Sequence, residues 1–508
     1  MRNSLATRSV GAPIALPTAV TDTSVQARRV PDWIVLGLAC LGQFMVVLDV
    51  SIVNVALPSI GRDLHYTATG LQWVVNAYVL TFAGFLLLGG RAADIFGRRR
   101  VYVVGMAIFT AASLAGGLAQ SSAWLTAARA VQGVGGAIVS PATLTIIVTT
   151  FSGAQMARAL GMWSAVAGAG GAAGSLLGGV LTSEISWRWV LFVNIPIGTL
   201  AVFAALAYLS EVRREPSAGA ARRLDVGGAV TVTAGLGALI YAIVGTDTHP
   251  WGSAQTLSLL GAAAVLFALF AFIDLRVART PLVPFRLFRS RSVSGANVVM
   301  FLIGAAFFSM WYFLSLYLQN VRGFGALRAG FAFLPMALSI IVGAQASSRL
   351  LIRVGVRPLL QAGAVLAAGG FWWLSRIDAT SGYWGHIFGP GIVVALALGL
   401  LFTPLASAAT AGVDYSEAGL ASGVLNTSRQ MGGSVGLAVL ATIAVDRTHS
   451  FLANSSTSHA AALAAGYSRA FEIAALLSVA ALAASVMVPP LRSQTNEAPA
   501  SAPALDVA

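Results

Sequence analysis

Lysine is absent from this 508-residue chain, and charge of either sign is scarce: Asp, Glu, Lys and Arg together make 10% of it, against 57% hydrophobic residues. A soluble fold of this length needs far more charged surface, so a water-soluble enzyme or carrier is excluded. Cys40 is the single cysteine, which rules out an intrachain disulfide and any cysteine-built metal centre. The five histidines (His65, His249, His386, His449 and His459) are scattered, without the spacing of metal ligands. No Walker-type phosphate loop is present, so ATP is not the expected energy source. Gly pairs are abundant among the 54 glycines, but none follows a strand, so no dinucleotide fingerprint is read. No metal and no other cofactor is expected. Residues 1–30 carry Pro13 and Pro17 and no uninterrupted apolar core, unlike a cleaved signal peptide.

Long apolar runs are what the chain does have. Stretches of about 20 residues, enough to cross a bilayer, recur along it and predict an all-α membrane protein; the short alternating segments of a transmembrane barrel are missing. Fourteen spans are read. Six lie near 33–57, 71–90, 100–120, 124–149, 158–182 and 189–210, and a middle pair lies near 225–246 and 256–276. The last six lie near 293–318, 327–349, 358–376, 384–411, 418–445 and 467–489. The expected organisation is an N-terminal tail (1–32), a six-helix bundle (33–210), a linker with two additional spans (211–292), a second six-helix bundle (293–490) and a disordered C-terminal tail (491–508).

The formal net charge of +13 comes entirely from arginine. With the N-terminus placed in the cytoplasm, most arginines fall in inside loops and tails, as the positive-inside rule requires. The excess is therefore topological and does not point to nucleic acid. Both termini are expected in the cytoplasm, and Trp124, Trp187 and Trp189 fall at the outer ends of spans, where indole rings prefer to sit. Arg129 and Arg429 fall within spans, away from their ends.

A weak internal repeat is visible. In "GGRAADIFGRRR" (89–100) and "SSRLLIRVGVRP" (347–358), Arg91, Gly97 and Arg99 align with Arg349, Gly355 and Arg357 at a constant offset. "GAIVSP" (136–141) is similarly matched by "GLLFTP" (399–404). Duplicated halves are a hallmark of transporters, whose binding sites lie between the halves near the midplane.

Asp49 stands out in "QFMVVLDVSIVNVALPSI" (43–60). A mid-bilayer Asp costs roughly 2.5–3.5 kcal/mol, so it must face the protein interior or a water-filled cavity. Its helical neighbours Met45, Val46, Ile52 and Val53 are apolar, so its partner is another helix, water or a proton. A proton or cation site is the reading favoured over a structural hydrogen bond. Arg129 shares a stripe with Gly133, Gly136 and Ser140, small residues that admit a close neighbour. Asp49 is its expected counter-ion, and Gln132 a further hydrogen-bonding group. The alternative for Arg129 is a guanidinium snorkelling to the outer interface. Gly170, Gly174 and Gly178, with Gly179, leave one face of the fifth span almost bare, for tight packing or for a moving seam. Gly90, Asp94, Gly97, Arg98 and Arg99 cluster in the second–third loop, as a topology anchor or as more. Glu472 reads as an interfacial carboxylate that reaches water.

Together these segments resemble the fourteen-helix drug/proton antiporters of the major facilitator superfamily. "LDVSIVNVALPSI", "GRAADIFGRRR", "RAVQGVGGAIVSPAT", "SWRWVLFVNIPIG" (186–198) and "SGVLNTSRQMGGSVG" (422–436) are similar to that family's motifs, in order and in topological place. The resemblance implies two six-helix bundles plus two central helices, and proton-driven export of hydrophobic compounds. It would make Asp49 the proton-linked acid, Arg129 its helper, the fifth-span glycines an antiporter seam, and the loop motif a latch between halves centred on Asp94 and Arg98. Ser175 stands where the fifth-span motif usually has Pro, Ile95 where the loop has a basic residue, and Ala92 where it has Leu.

One clear mid-membrane acid is a poor trap for a dication, so neutral or monocationic lipophilic cargo is expected. Asn54, Trp73, Tyr78, Gln132, Trp163, Trp311, Tyr312 and Phe313 are candidate cavity residues, the rings offering stacking or cation contact. Expected partners are that small substrate, protons and membrane lipids, in a monomer of the cell membrane. Symport or lipid export on the same scaffold is the alternative within transport. A membrane enzyme acting on lipid-linked substrates would need clustered acids or histidines on an interfacial loop, and none is present.

Overall fold

The computed structural model describes residues 31–209, 224–278, 281–413, 417–454 and 458–490. The two tails and the start of the central linker, on which the sequence also bears, lie outside the described residues. The described chain is helical, without strands. Its helices are α1 (Asp32–Asp63), α2 (Trp73–Phe96), α3 (Arg98–Gly117), α4 (Ser122–Thr150), α5 (Gly153–Glu184), α6 (Trp189–Phe192), α7 (Asn194–Tyr208), α8 (Val226–Val244) and α9 (Ala254–Phe272). There follow α10 (Arg291–Leu316), α11 (Ala326–Val354), α12 (Val356–Leu374), α13 (Gly389–Thr410), α14 (Ala418–Asn454) and α15 (His459–Ala484). Among the described residues, thirteen helical segments are long and apolar enough to cross a membrane, and α12 adds a nineteen-residue helix. This is a multi-pass membrane protein.

The sixth span is one helical segment, Trp189–Tyr208, as the sequence predicts, and Val193 between α6 and α7 keeps helical dihedral angles (φ −58°, ψ −27°). Pro196 has no N–H to donate back to Phe192, so the helical ladder lacks that bond.

Helices α1–α7 form one half and α10–α15 the other. The halves meet along two flanks, α5 against α11 and α2 against α14. Helix α8 lies against both α2 and α14, burying Leu80, Val232, Leu236, Ile240 and Ala438 in a small core of its own. Helix α9 packs on α8 and leaves Leu257, Val265, Leu269 and Phe272 exposed.

The repeat has a backbone counterpart. Gly97 joins α2 to α3 with φ at 91°, and Gly355 joins α11 to α12 with φ at 82°. Both occupy the left-handed region that disfavours side chains, which explains why glycine recurs there. The face bearing these two junctions is the arginine-rich face; the α1–α2 and α3–α4 loops lie on the opposite face. Hydrogen bonds between the halves cluster toward that opposite face. Ser315 Oγ donates to Asn54 O (2.6 Å), Gln319 Nε2 to Val55 O (2.9 Å), and Leu327 N to Ser183 Oγ (3.0 Å).

Candidate functional site: a buried ion pair inside the first half

Glycines set the geometry. A Cβ on Gly133 would come within 2.3 Å of Tyr78 O, and one on Gly135 within 2.6 Å of Phe109 N. Helix α4 is thus pressed against α2 on one side and α3 on the other, as small residues permit. On α5, Cβ atoms at Gly174 and Gly178 would meet Leu48 O and Ile52 O at 2.7 Å each. That contact seats α1 with Asp49 turned into the bundle.

Asp49 is completely buried and Arg129 is 2% exposed. Arg129 Nη1 donates to Asp49 Oδ2 at 2.5 Å. Gln132 Nε2 and Asn194 Nδ2 donate to Asp49 Oδ1 at 2.7 and 2.9 Å. Arg129 is held by Val74 O through Nε (3.1 Å) and by Gln132 Oε1 through Nη1 (2.8 Å), and it lies 4.4 Å from the centroid of the Tyr78 ring. Ser113 Oγ accepts from Gln132 Nε2 and Asn194 Nδ2 (3.2 and 3.0 Å) and donates to Leu191 O (2.9 Å). The pair therefore ties α1 to α4, and its neighbours extend the tie to α2, α3, α6 and α7.

The bonding suits the carboxylate and not the acid. As a carboxylate, Asp49 satisfies three N–H donors and neutralises a guanidinium that low-dielectric surroundings would otherwise penalise. As a carboxylic acid it loses the Coulombic attraction, and one of its oxygens becomes a donor facing N–H groups. Proton uptake would thus undo bonds to two helices at once.

Asp49, Arg129 and Gln132 are brought together as the sequence suggests. Ser113 and Asn194 were not singled out. Asn194 offered a signal, an amide inside the apolar stretch "WVLFVNIPIG"; Ser113 offered none, since serine is common in helices.

The fifth-span glycines divide between two partners. Gly170, Gly174 and Gly178 pack on α1, within the first half, whereas Gly179 meets Ala326 O of α11 at 2.8 Å. Ser175 belongs to that second row: a Cβ on Gly330 of α11 would lie 2.4 Å from Ser175 O. Helix α5 is unbroken there, and Ser175 Oγ donates to Gly171 O at 3.2 Å. In the loop motif, Arg98 bonds Thr149 and Thr150 of α4, and Arg99 Nη2 bonds Leu206 O of α7 at 2.6 Å. A Cβ on Gly90 would meet Pro141 of α4 at 3.6 Å. These contacts stay within the first half, and the Asp94 side chain lies outside the described residues.

Several candidate cavity residues are corrected. Tyr78 is fully buried beneath Arg129, stacked on Phe82, because the α2–α4 contact encloses it. Tyr312 and Phe313 are buried in the core of the second half against Tyr467 and Phe471 of α15. Trp73 packs on Tyr241 of α8, away from the junction between α5 and α11. Half-buried positions are kept by Asn54, by Trp163, whose Nε1 donates to Thr143 Oγ1 (3.0 Å), and by Trp311, beside Phe333. Glu472, expected near a membrane interface, lies midway along α15, where it accepts from Arg469 Nη1 at 2.6 Å and is half-exposed. Trp187, expected at a membrane boundary, is buried, because its Nε1 donates to Asp63 Oδ2 at 2.9 Å beside the Arg188–Asp63 ion pair.

Residues 39–437 match the Major Facilitator Superfamily as a family. The chain belongs to that superfamily. It is 46% identical over 410 residues to the cephamycin export protein CmcT of Amycolatopsis lactamdurans, covering 80% of this chain and 84% of that one. It is 38% identical over 460 residues to the puromycin resistance protein pur8 of Streptomyces alboniger, covering 89% and 90%. Among solved structures it is similar to a bacterial homologue of the human lysosomal transporter Spinster in an inward-facing, occupied conformation. There the TM-score is 0.62 at 16% identity, over 89% of this chain and 96% of that one, a likeness of fold. The protein is thus a non-enzymatic membrane transporter of small molecules, related to antibiotic exporters.

Proposed function

We propose that this superfamily member is a proton-coupled antiporter that exports lipophilic small molecules across the cell membrane, with Asp49 carrying the coupling proton. The observation that carries this reading is the fully buried Asp49–Arg129 pair, whose bonding suits the ionised acid and is undone by a proton. Protonation removes the Coulombic hold on Arg129 and turns one carboxyl oxygen into a donor against an N–H partner, so the ties from α1 to α4 and α7 weaken together. Cargo and proton then use opposite orientations of the two halves in turn. The arginine-rich face is cytoplasmic, with both termini on that side, following the distribution of positive charge, and a monomer is the working unit. The relative named as a cephamycin export protein supports the direction of transport.

One mid-membrane acid is a poor trap for a dication, and with both Asp49 oxygens engaged by Arg129, Gln132 and Asn194 the case against dicationic cargo is stronger; lipophilicity is the cargo criterion.

The test uses everted membrane vesicles energised by a proton gradient, with a fluorescent lipophilic dye as probe. Dye uptake that collapses on adding an uncoupler, and release of protons on adding dye, are the expected results. Uptake indifferent to the uncoupler would refute proton coupling.

A further inference from the structure

The second half holds a charge that the proton site does not use. Arg429 lies in α14, about 16 Å along the helix axis from its start at Ala418. Its Nη2 donates to Asn426 Oδ1 at 2.8 Å, and its guanidinium carbon lies 5.5 Å from the centroid of the Phe402 ring on α13. Its Nε is buried without an acceptor. Among the described residues, no carboxylate reaches it.

The contrast with Arg129 is sharp. Arg129 is sealed and neutralised by Asp49, whereas Arg429 is held by one amide and a ring. A guanidinium at this depth without an anion is costly, and arginine keeps its charge in proteins. The neighbouring backbone is fixed: a Cβ on Gly304 of α10 would meet Arg429 O at 2.4 Å, so α10, α13 and α14 converge on this residue. Arg429, Asn426 and Phe402 all keep partial exposure. A guanidinium bared to hydrocarbon would bear the full penalty, which favours an exposed edge turned to the space between the halves. Helix α14 borders that space through its contact with α2.

We infer that Arg429 is a substrate-recognition residue for lipophilic carboxylates, pairing with the carboxylate through its free N–H groups while Phe402 supports the apolar body. Guanidinium and carboxylate match in planar, two-pronged geometry. The inference deepens the export reading by naming a cargo class, and it rests on that reading for transport but not for binding.

Binding is measured on the purified full chain in lipid-free detergent by tryptophan-fluorescence quenching, with 1-pyrenebutyrate and its methyl ester as probes. The two differ at the ionised group. The wild-type protein is expected to bind the acid at least about tenfold more tightly than the ester, the effect of one charge-assisted hydrogen-bonded pair. Arg429→Gln is expected to abolish this discrimination, and Arg429→Lys to keep part of it. Equal binding of acid and ester to the wild type, or discrimination that survives Arg429→Gln, would overturn the inference. If the glutamine variant does not fold, the wild-type comparison and the lysine variant still decide. Complete displacement of the acid by added phosphatidylglycerol would assign Arg429 to a lipid headgroup and overturn it as well. A wild type that discriminates acid from ester but drives no uncoupler-sensitive dye transport would refute the export reading while upholding Arg429 as the carboxylate site.

Discussion

Arg129 reaches Asp49 across 80 positions of sequence and closes to 2.5 Å, with both side chains shut away from the molecular surface. Opposite charges at that depth make each residue dependent on the other, because a lone charge left behind has neither water nor counter-ion.

Asp49→Asn keeps the shape and some hydrogen bonds but cannot take up a proton. The variant is expected to insert and fold, yet to lose proton-driven dye uptake by at least about tenfold, the equivalent of about 1.4 kcal/mol on the rate. Counter-flow of dye without a gradient is expected to survive in part. Full gradient-driven uptake by this variant would remove Asp49 from the coupling role.

Arg129→Ala strands Asp49 in the bundle. Removing one member of a buried pair costs about 3–5 kcal/mol, so the variant should unfold at markedly lower temperature in detergent. Combining Arg129→Gln with Asp49→Asn removes both charges and should recover part of that loss, with a coupling of about 0.5–3 kcal/mol in a double-mutant cycle. Additive losses would show that the two side chains do not depend on each other.

Asn194→Leu removes one donor to Asp49 and one to Ser113. Leaving buried polar groups without partners costs about 1–3 kcal/mol, and the pH profile of transport should shift with it. Ser113→Ala should act in the same direction and more weakly, since it touches Asp49 only through the amides. A change in expression with an unaltered pH profile would mark both as packing residues.

On α5, the two glycine rows should respond differently. Gly174→Leu drives a side chain into Leu48 O of its own half and should lower stability and yield. Gly179→Leu instead strikes α11 and should bias the halves away from the present closure. Differential protection of cysteines introduced on the two faces would report that bias. Identical effects of both substitutions would erase the distinction between the rows.

Ser183→Cys with Leu327→Cys, in a Cys40→Ala background, tests closure at the opposite face, where Leu327 N donates to Ser183 Oγ at 3.0 Å. A short bifunctional thiol reagent should join the pair and stop transport, with reduction restoring it when the linker is cleavable. Continued turnover of the joined protein would mean that this contact does not open.

Much of this was legible in the chain because charge in an apolar run has nowhere to hide. Asp49 and Arg129 announced themselves by that contrast, and the glycine spacing on α5 marked close helix contacts. The aromatic walls were not legible: Tyr78 and Phe313 read like cavity rings, yet which side of a helix turns inward is set by neighbours far away in sequence. Nor could Ser113 be found, since its role exists only once α3, α4 and α7 meet. The division of the α5 glycines between α1 and α11 also needed three dimensions, because spacing reveals a smooth face but not what leans on it.

The placement of α8 makes the two flanks unequal. Because it grips α2 of one half and α14 of the other, any tilt of the halves must carry this helix along, and that side behaves like the spine of a book. The α5–α11 side, which no such helix straps, is the fore-edge. The two flanks are therefore unequal supports for any movement of the halves.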